Sequence, residues 1–243
     1  MEQLQKPIVS FLPAKNRDDQ AQGADQIALH DALMMRSGLR FPKNNLLKAG
    51  KLSGSEIVDF FFRSSKEVPK EGKKYQYWGY DPQMIMEVVD ICTPGSIQDF
   101  IDRELFSKLG ITEYTWAKEV NGAPKCGAGC YLKSRDILKV GIMLLQEGVY
   151  NEEQLISPKY LKNVYDMKVR STESQTFRYF FHGHSHDVSG KSIVRVGGIG
   201  AGGQYMSTFP ELNVVIVATS LRKVGRLTEQ LYLNTILPLF IQE

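Results

Sequence analysis

The sequence predicts an α+β fold in which a mainly helical region precedes an antiparallel β-sheet and a closing helix. Helical hydrophobic periods follow one another between residues 27 and 165, and strand-like runs separated by turns follow between residues 176 and 219. Helices and strands that are segregated along a chain are typical of α+β proteins, whereas alternation would indicate a parallel sheet. We therefore predict one domain over 1–243, with a mainly helical part at 27–165 and a part at 176–243 that holds the strands and the C-terminal helix.

The helices follow from apolar residues at helical spacing. Short segments of this kind predict helices over Ile27–Met35 and Ser55–Phe62. The clearest period runs over Asp81–Cys92, where Asp81 is predicted to cap the helix and Pro82 suits its first turn. The remaining helices are predicted over Ser96–Leu109, Ser134–Glu147, Pro158–Tyr165 and Leu227–Phe240.

The strands are short apolar runs that end at turn residues. Their predicted ranges are Thr176–Phe181, Lys191–Val196, Gly203–Thr208 and Leu212–Thr219. Turn-rich segments at Asp187–Gly190 and Pro210–Asn213 join neighbouring runs. This succession predicts an antiparallel meander.

Composition excludes several classes of function. The chain has 243 residues, 42% of them hydrophobic, and a net charge of +3, which gives no electrostatic reason to expect a nucleic acid or an anionic membrane as partner. No run reaches the roughly 18 to 20 apolar residues of a membrane span. The start lacks the pattern of a secretory signal, and the sequence leaves open a cytoplasmic or a periplasmic location. Three cysteines indicate no disulfide framework.

The segment Val196–Ser220 is the densest concentration of glycine, with five glycines between Gly197 and Gly203. Glycine lets a backbone approach a ligand or a neighbouring strand closely, and an edge strand of this kind can offer N–H groups to an oxyanion. A hairpin corner without chemistry explains the composition equally well. A dinucleotide site is excluded because a strand, not a helix, follows GIGAGGQ.

Other candidate sites are weaker. In HGHSH, His182, His184 and His186 would share one face of a strand, as in some metal sites, but Asp187 is the one carboxylate beside them in the sequence. We therefore predict a solvated hairpin end and no metal site. The carboxylates of the predicted helices are spaced as surface charges and indicate no glycosidase pair: Asp99, Asp102, Glu104 and Asp136.

Four segments in a fixed order resemble one family. They are HDALMMRSGLRF at His30–Phe41, the run Tyr75–Ile111, the helix region Cys126–Gly148, and the strands of Gly198–Ser220. Together they resemble the serine β-lactamase and penicillin-binding-protein-like superfamily. The nearest branch is the β-lactamase-related hydrolases, which include class C β-lactamases, esterases and 6-aminohexanoate-dimer hydrolases. The resemblance implies a β-lactamase/transpeptidase-like fold, no cofactor, and a small amide or ester as substrate.

The resemblance also implies roles for individual residues. Tyr77 falls on the tyrosine of the family's Tyr-Ser-Asn motif and would shuttle a proton, while Trp78 would contact substrate. Gly79 stands at the asparagine position, so a polar group that orients substrate or lysine is missing. A packing role remains open for Tyr77, because the neighbouring aromatic residues Tyr75, Trp78 and Tyr80 compete for the assignment.

The second motif of the family is Lys-Thr-Gly, and Gly198-Ile199-Gly200 falls on it. The backbone N–H of Ile199 would be an oxyanion donor, and Gly198 and Gly200 would line the substrate site. Because a backbone donor does not depend on the side chain, this role survives the change of sequence. The loss of the lysine weakens any recognition of a β-lactam carboxylate.

The family's nucleophile, a serine in Ser-x-x-Lys, has no counterpart in the expected order. The single Ser-x-x-Lys of the chain, Ser220–Lys223, follows the last strand, and we reject it as the nucleophile. QKPIVSFLP at Gln5–Pro13 resembles the stretch after the nucleophile helix, so the chain is expected to be an N-terminally truncated, C-terminal portion. Uncovered apolar surface would then favour a marginal fold and self-association. Two hypotheses remain: a truncated or split hydrolase that is inactive as this chain, or a non-catalytic, degenerate member of the family that binds ligands.

Overall fold

Apolar residues at helical spacing form helices in the first part of the chain, as their periodicity predicts. The computed structural model describes residues 2–14, 18–40, 48, 51–52, 54–70, 73–166, 175–220 and 225–241. The helices in the first part of the chain include α1 (Leu29–Leu33), α2 (Ser55–Ser64) and α3 (Tyr80–Cys92). Short 3₁₀ turns at Glu2–Gln5, Ile8–Ser10 and Ala24–Gln26 precede α1.

The chain divides into two compact units, and the first comprises Met1–Glu104 with Thr115–Tyr131. Its core forms where α1 and α2 pack on α3, and the rings of Phe61 and Tyr80 lie 5.3 Å apart. The buried residues of this core include Ile8, Ile27, Leu39, Val58, Phe62, Met84 and Val88. The predicted cap at Asp81 is wrong, because α3 begins one residue earlier and Gly79 occupies the N-cap position.

A further helix, α4 (Ile97–Ile101), ends the long α-helical stretch of this unit. Ser96 caps it by accepting a hydrogen bond from the Asp99 N–H at 3.1 Å. The helix continues as a π-helical turn, Asp102–Phe106, and so covers most of the predicted range. The hairpin of β1 (Thr115–Trp116) and β2 (Cys130–Tyr131) completes the described part of the first unit.

The second unit comprises Leu105–Tyr114 with Leu132–Glu243. It begins its regular structure with α5 (Ser134–Leu145) and α6 (Pro158–Tyr165), with the small hairpin of β3 (Val149–Tyr150) and β4 (Glu153–Gln154) between them. Both helices coincide with predicted ranges to within two residues. The remainder of the unit is a sheet and a closing helix.

The sheet is an antiparallel meander of five strands in the order of the sequence. The strands are β5 (Gln175–Arg178), β6 (Phe181–Val188), β7 (Lys191–Gly200), β8 (Gln204–Phe209) and β9 (Val214–Ala218). The predicted strand Thr176–Phe181 is interrupted, because Tyr179 and Phe180 both have positive φ and turn the chain between β5 and β6. The predicted α+β class and the meander are confirmed.

Helices cover both faces of this sheet. α5 packs against β8 and β9 on one face, with Gly141 beside Val215 and Met206. The opposite face meets the C-terminal helix, α7 (Gly225–Leu231), which continues through Tyr232–Ile236 and Leu237–Phe240. The Tyr232 ring lies 5.9 Å from that of Phe209. Among the described residues, no helix combines the length and the hydropathy that crossing a bilayer requires.

Candidate active site

The glycine-rich segment forms the tight hairpin between β7 and β8. Gly200 pairs with Gln204, and the Gly203 N–H donates to the Gly200 carbonyl at 3.0 Å. Gly203 has φ +91°, a left-handed conformation that favours glycine at the end of a three-residue hairpin loop. The Gln204 side chain stabilises this hairpin turn. Its Oε1 accepts a hydrogen bond from the Gly202 N–H, and its Nε2 donates to the Ser220 carbonyl at 3.0 Å.

The hairpin geometry decides which way the Ile199 backbone points. In an antiparallel ladder, successive residues direct their N–H and C=O groups to opposite edges of the strand. The carbonyl of Gly200 is turned toward the β8 side, so the N–H of Ile199 is directed to the other edge of β7. On that edge the described ladder with β6 ends at the pair His182–Gly197, two residues before Ile199. The Ile199 N–H therefore lies on a stretch of strand edge beyond the end of β6.

Two adjacent glycines of β7 have different steric surroundings. A Cβ on Gly197 would overlap the carbonyl oxygen of Met206, so glycine there permits the close approach of β7 and β8. A Cβ on Gly198 would meet nothing within 4 Å among the described residues. Packing therefore explains why residue 197 is glycine, whereas no steric contact among the described residues requires glycine at position 198.

Tyr77 lies in the extended segment that precedes α3, in the first unit. Two hydrogen bonds hold this segment against the turn that follows α1: the Gln76 N–H donates to the Met35 carbonyl at 2.9 Å, and Arg36 Nε donates to the Lys73 carbonyl at 2.7 Å. The Tyr77 side chain is 64% exposed. The segment is thus anchored directly before the tyrosine, while the phenol reaches solvent.

The competing aromatic residues have packing roles. Tyr80 is 2% exposed, and the Trp78 ring stacks on it at 5.3 Å with an interplanar angle of 19°. Burial, with a smaller contribution from nearby Tyr77, raises the pKa of Tyr75. Tyr77 is therefore the most accessible phenol of this segment, which favours it over Tyr75 and Tyr80. The buried indole N–H of Trp78 has no hydrogen-bond partner among the described residues.

A buried polar cluster behind this segment escaped the sequence analysis. Lys73 Nζ lies 2.6 Å from the Asp31 carboxylate, and the backbone N–H and hydroxyl of Ser37 donate to Asp81. The pKa of Asp81 is raised to about 7, mainly because the carboxyl group is buried. The Ser37 hydrogen bonds and the nearby Lys73 lower this pKa, and the nearby Asp31 raises it. The SGL turn, Ser37–Leu39, is therefore tied to the first turn of α3 by a side chain that is buried inside the unit.

The predicted solvated hairpin end at His182–His186 is wrong. His182, His184 and His186 lie within β6, which pairs with β5 on one side and β7 on the other, and not at a hairpin end. The alternation that the sequence shows does place all three on one face of the strand. The fold also brings Glu229 of α7 to this face, 3.6 Å from His186.

The structure places the predicted site residues in both units. Tyr77 and Trp78 belong to the first unit, and Gly198, Ile199 and Gly200 belong to the second. Of the rejected Ser220–Lys223 motif, only Ser220 is among the described residues.

Comparisons with known proteins identify the family. A family model described as Beta-lactamase matches residues 2–233, nearly the whole chain. A search of curated proteins finds no match.

Solved structures of the same fold are similar at low identity. A candidate 6-aminohexanoate-dimer hydrolase from Bacillus anthracis has a TM-score of 0.72 and 15% identity over 94% of this chain. A penicillin binding protein from Bacillus halodurans has a TM-score of 0.65 and 15% identity over 94% of the chain. EstCE1, a hydrolase with promiscuous acyltransferase activity, has a TM-score of 0.69 and 14% identity over 93%. The chain spans 64%, 77% and 76% of these three proteins.

The resemblance that four ordered segments predicted is confirmed by the family match, and the β-lactamase-like fold by the structural similarity. The chain belongs to the beta-lactamase family of hydrolases.

Proposed function

We propose that this chain carries two parts of an acyl-transfer site for small amides or esters. The Ile199 N–H serves as an oxyanion donor and the Tyr77 phenol as a proton carrier. The observation that carries the proposal is the strand edge at Ile199, where a backbone N–H is directed away from β8 beyond the end of β6. The substrate class follows from two similar structures, one named for a 6-aminohexanoate dimer and the other for acyltransferase activity.

In the proposed reaction, a serine hydroxyl attacks the substrate carbonyl and forms a tetrahedral intermediate. The carbonyl oxygen gains the negative charge, and the Ile199 N–H donates a hydrogen bond to it. The phenol oxygen of Tyr77 accepts the serine proton and passes a proton to the leaving amine or alcohol as the carbon–heteroatom bond breaks. This leaves the acyl group on the serine as an ester. A water molecule then attacks that ester, which releases the carboxylic acid and restores the serine hydroxyl. Because Gly198 replaces the lysine of the family motif, no side chain at that position attracts a substrate carboxylate.

The chain supplies no serine in the context that this chemistry requires. Ser220–Lys223 is its single Ser-x-x-Lys. Ser220 lies in the coil after β9, and its carbonyl accepts a hydrogen bond from the Gln204 side chain. We infer that this polypeptide forms no acyl-enzyme by itself.

The test is direct. The purified 243-residue chain is expected to hydrolyse nitrocefin and p-nitrophenyl acetate no faster than buffer, and to resist labelling by a fluorophosphonate probe. An active class C β-lactamase serves as positive control for nitrocefin and an active serine esterase for the ester and the probe. Stoichiometric labelling that disappears in Ser220→Ala would make Ser220 the nucleophile and would overturn the inference; labelling that persists would point to another serine.

A non-catalytic, ligand-binding member of the family is the second candidate. The departures at Gly79 and Gly198, which remove the asparagine and lysine of the two motifs, favour it. Reading the DNA upstream of the Met1 codon distinguishes the two. An in-phase Ser-x-x-Lys helix supports the hydrolase, whereas a stop codon followed by a promoter supports the binding protein.

A further inference from the structure

The histidines of β6 meet a carboxylate of the C-terminal helix inside the second unit. The ring centroids of His184 and His186 lie 4.2 Å apart on the sheet face that α7 covers. Glu229, 43 positions after His186, projects onto the same face. One potential ligand atom from each of the three residues lies within 4.8 Å of the other two.

The spacing of the ligand atoms suits a metal ion better than a hydrogen bond. His186 Nε2 and Glu229 Oε1 are 3.6 Å apart, beyond hydrogen-bond range. Two atoms that each lie about 2.1 Å from a tetrahedral metal are separated by roughly 3.4 Å. This pair is therefore already at the separation that a shared metal ion imposes. Because all three ligand atoms lie within 4.8 Å of one another, the remaining separations must shorten by at most about 1.4 Å.

A buried nitrogen in this cluster lacks a partner. The His186 side chain is 9% exposed, and its Nε2 makes no hydrogen bond with any described residue. Leaving such a group unsatisfied destabilises the fold, and a bound metal ion would remove that destabilisation.

Arg195 limits the strength of such a site. Its guanidinium is 1% exposed, lies directly across from His184 on β7, and places Nε 3.8 Å from Glu229 Oε1. Its positive charge repels a bound cation. Metals that form strong bonds to imidazole nitrogen overcome this repulsion more readily than Mg²⁺ or Ca²⁺, which prefer oxygen ligands.

We propose that His184, His186 and Glu229 form a binding site for one zinc-type transition-metal ion that fastens the C-terminal helix to the sheet. Three protein ligands satisfy the tetrahedral preference of zinc with one position left for water. Because the ligands come from two separate elements, the ion binds the folded unit and not the unfolded chain. Binding therefore stabilises the fold by mass action.

The full chain, stripped of metal with a chelator, is titrated with ZnCl₂ by calorimetry and with CoCl₂ by visible absorption. We expect one ion per chain, a tetrahedral Co²⁺ spectrum, and a thermal midpoint that rises with Zn²⁺. His186→Ala and Glu229→Gln should each weaken Zn²⁺ binding by at least about tenfold, since changes even outside the ligand set cost 10–100-fold.

The matched control is His182→Ala. His182 lies on the same strand and face, but its ring packs against Phe177 at 5.1 Å and does not belong to the cluster. This variant should bind Zn²⁺ as the parent chain does. His184→Gln and Glu229→Gln, checked for native circular dichroism, guard against a His186 variant that fails to fold. Absence of binding by the folded chain overturns the proposal, as does binding that these variants leave unchanged.

Discussion

Replacing Asp81 by asparagine is expected to remove a large pH dependence of stability from this protein. The parent chain should lose stability as the pH rises from about 4 to about 7, whereas Asp81→Asn should not show this component. At pH 7.5 the variant should therefore be the more stable of the two proteins. The effect originates in one carboxyl group that the first unit buries almost completely.

The direction follows from the pKa of Asp81 in the two states. Burial raises it from the ordinary value of 3.8 to about 7 in the folded chain. Between these two pH values the Asp81 carboxyl is deprotonated in the unfolded chain but still protonated in the folded chain. The free energy of unfolding is therefore highest below about pH 4 and falls as the pH rises toward 7. Each pKa unit corresponds to about 1.4 kcal/mol, which sets an upper limit of about 4 kcal/mol.

Denaturant unfolding of both proteins at intervals between pH 4 and pH 8 measures the effect. The quantity to plot is the difference in unfolding free energy between variant and parent, because other carboxyl groups titrate equally in both. Asp25→Asn, which removes an exposed carboxylate of the same unit, is the control for the loss of one negative charge. A flat difference for Asp81→Asn would show that the Asp81 carboxyl is not buried beside Ser37.

Gly197→Ala should destabilise the second unit by ~3 kcal/mol, toward the upper end of what overpacking costs. The added methyl group would overlap the Met206 carbonyl oxygen and lie 2.9 Å from the carbon that bears it. Both obstacles are backbone atoms of the paired strand, so β7 and β8 must separate to relieve the overlap. The backbone of Gly197 does not have positive φ, and the cost is therefore one of space alone.

Gly198→Ala is the matched control on the adjacent residue. Its methyl group would meet nothing within 4 Å, so the change in stability should stay within about 0.5 kcal/mol. Urea midpoints of the two variants measure the contrast. Equal losses would contradict the structure at this hairpin.

Local patterns in the sequence predicted the elements well but not their buried polar contacts. The periods of α3, α5 and α6 and the turns around Asn213 depend on residues close together in the chain, and the structure reproduces them. The Asp81 prediction was wrong because a carboxylate near a helix start is usually a cap, whereas here tertiary packing turns it toward Ser37. Nothing within four residues of Asp81 signals that contact.

The sequence by itself determined the family, the α+β class, and the order of helices and meander strands, because periodicity and turn residues act over a few positions. Only the tertiary structure decided which side chains meet. It brought Lys73 to Asp31 across 42 positions, placed Glu229 beside His186, and ended β6 before Ile199. Such contacts depend on how whole helices and strands pack against one another. This packing is determined by many residues along the chain, so the sequence around the contacting residues does not predict it.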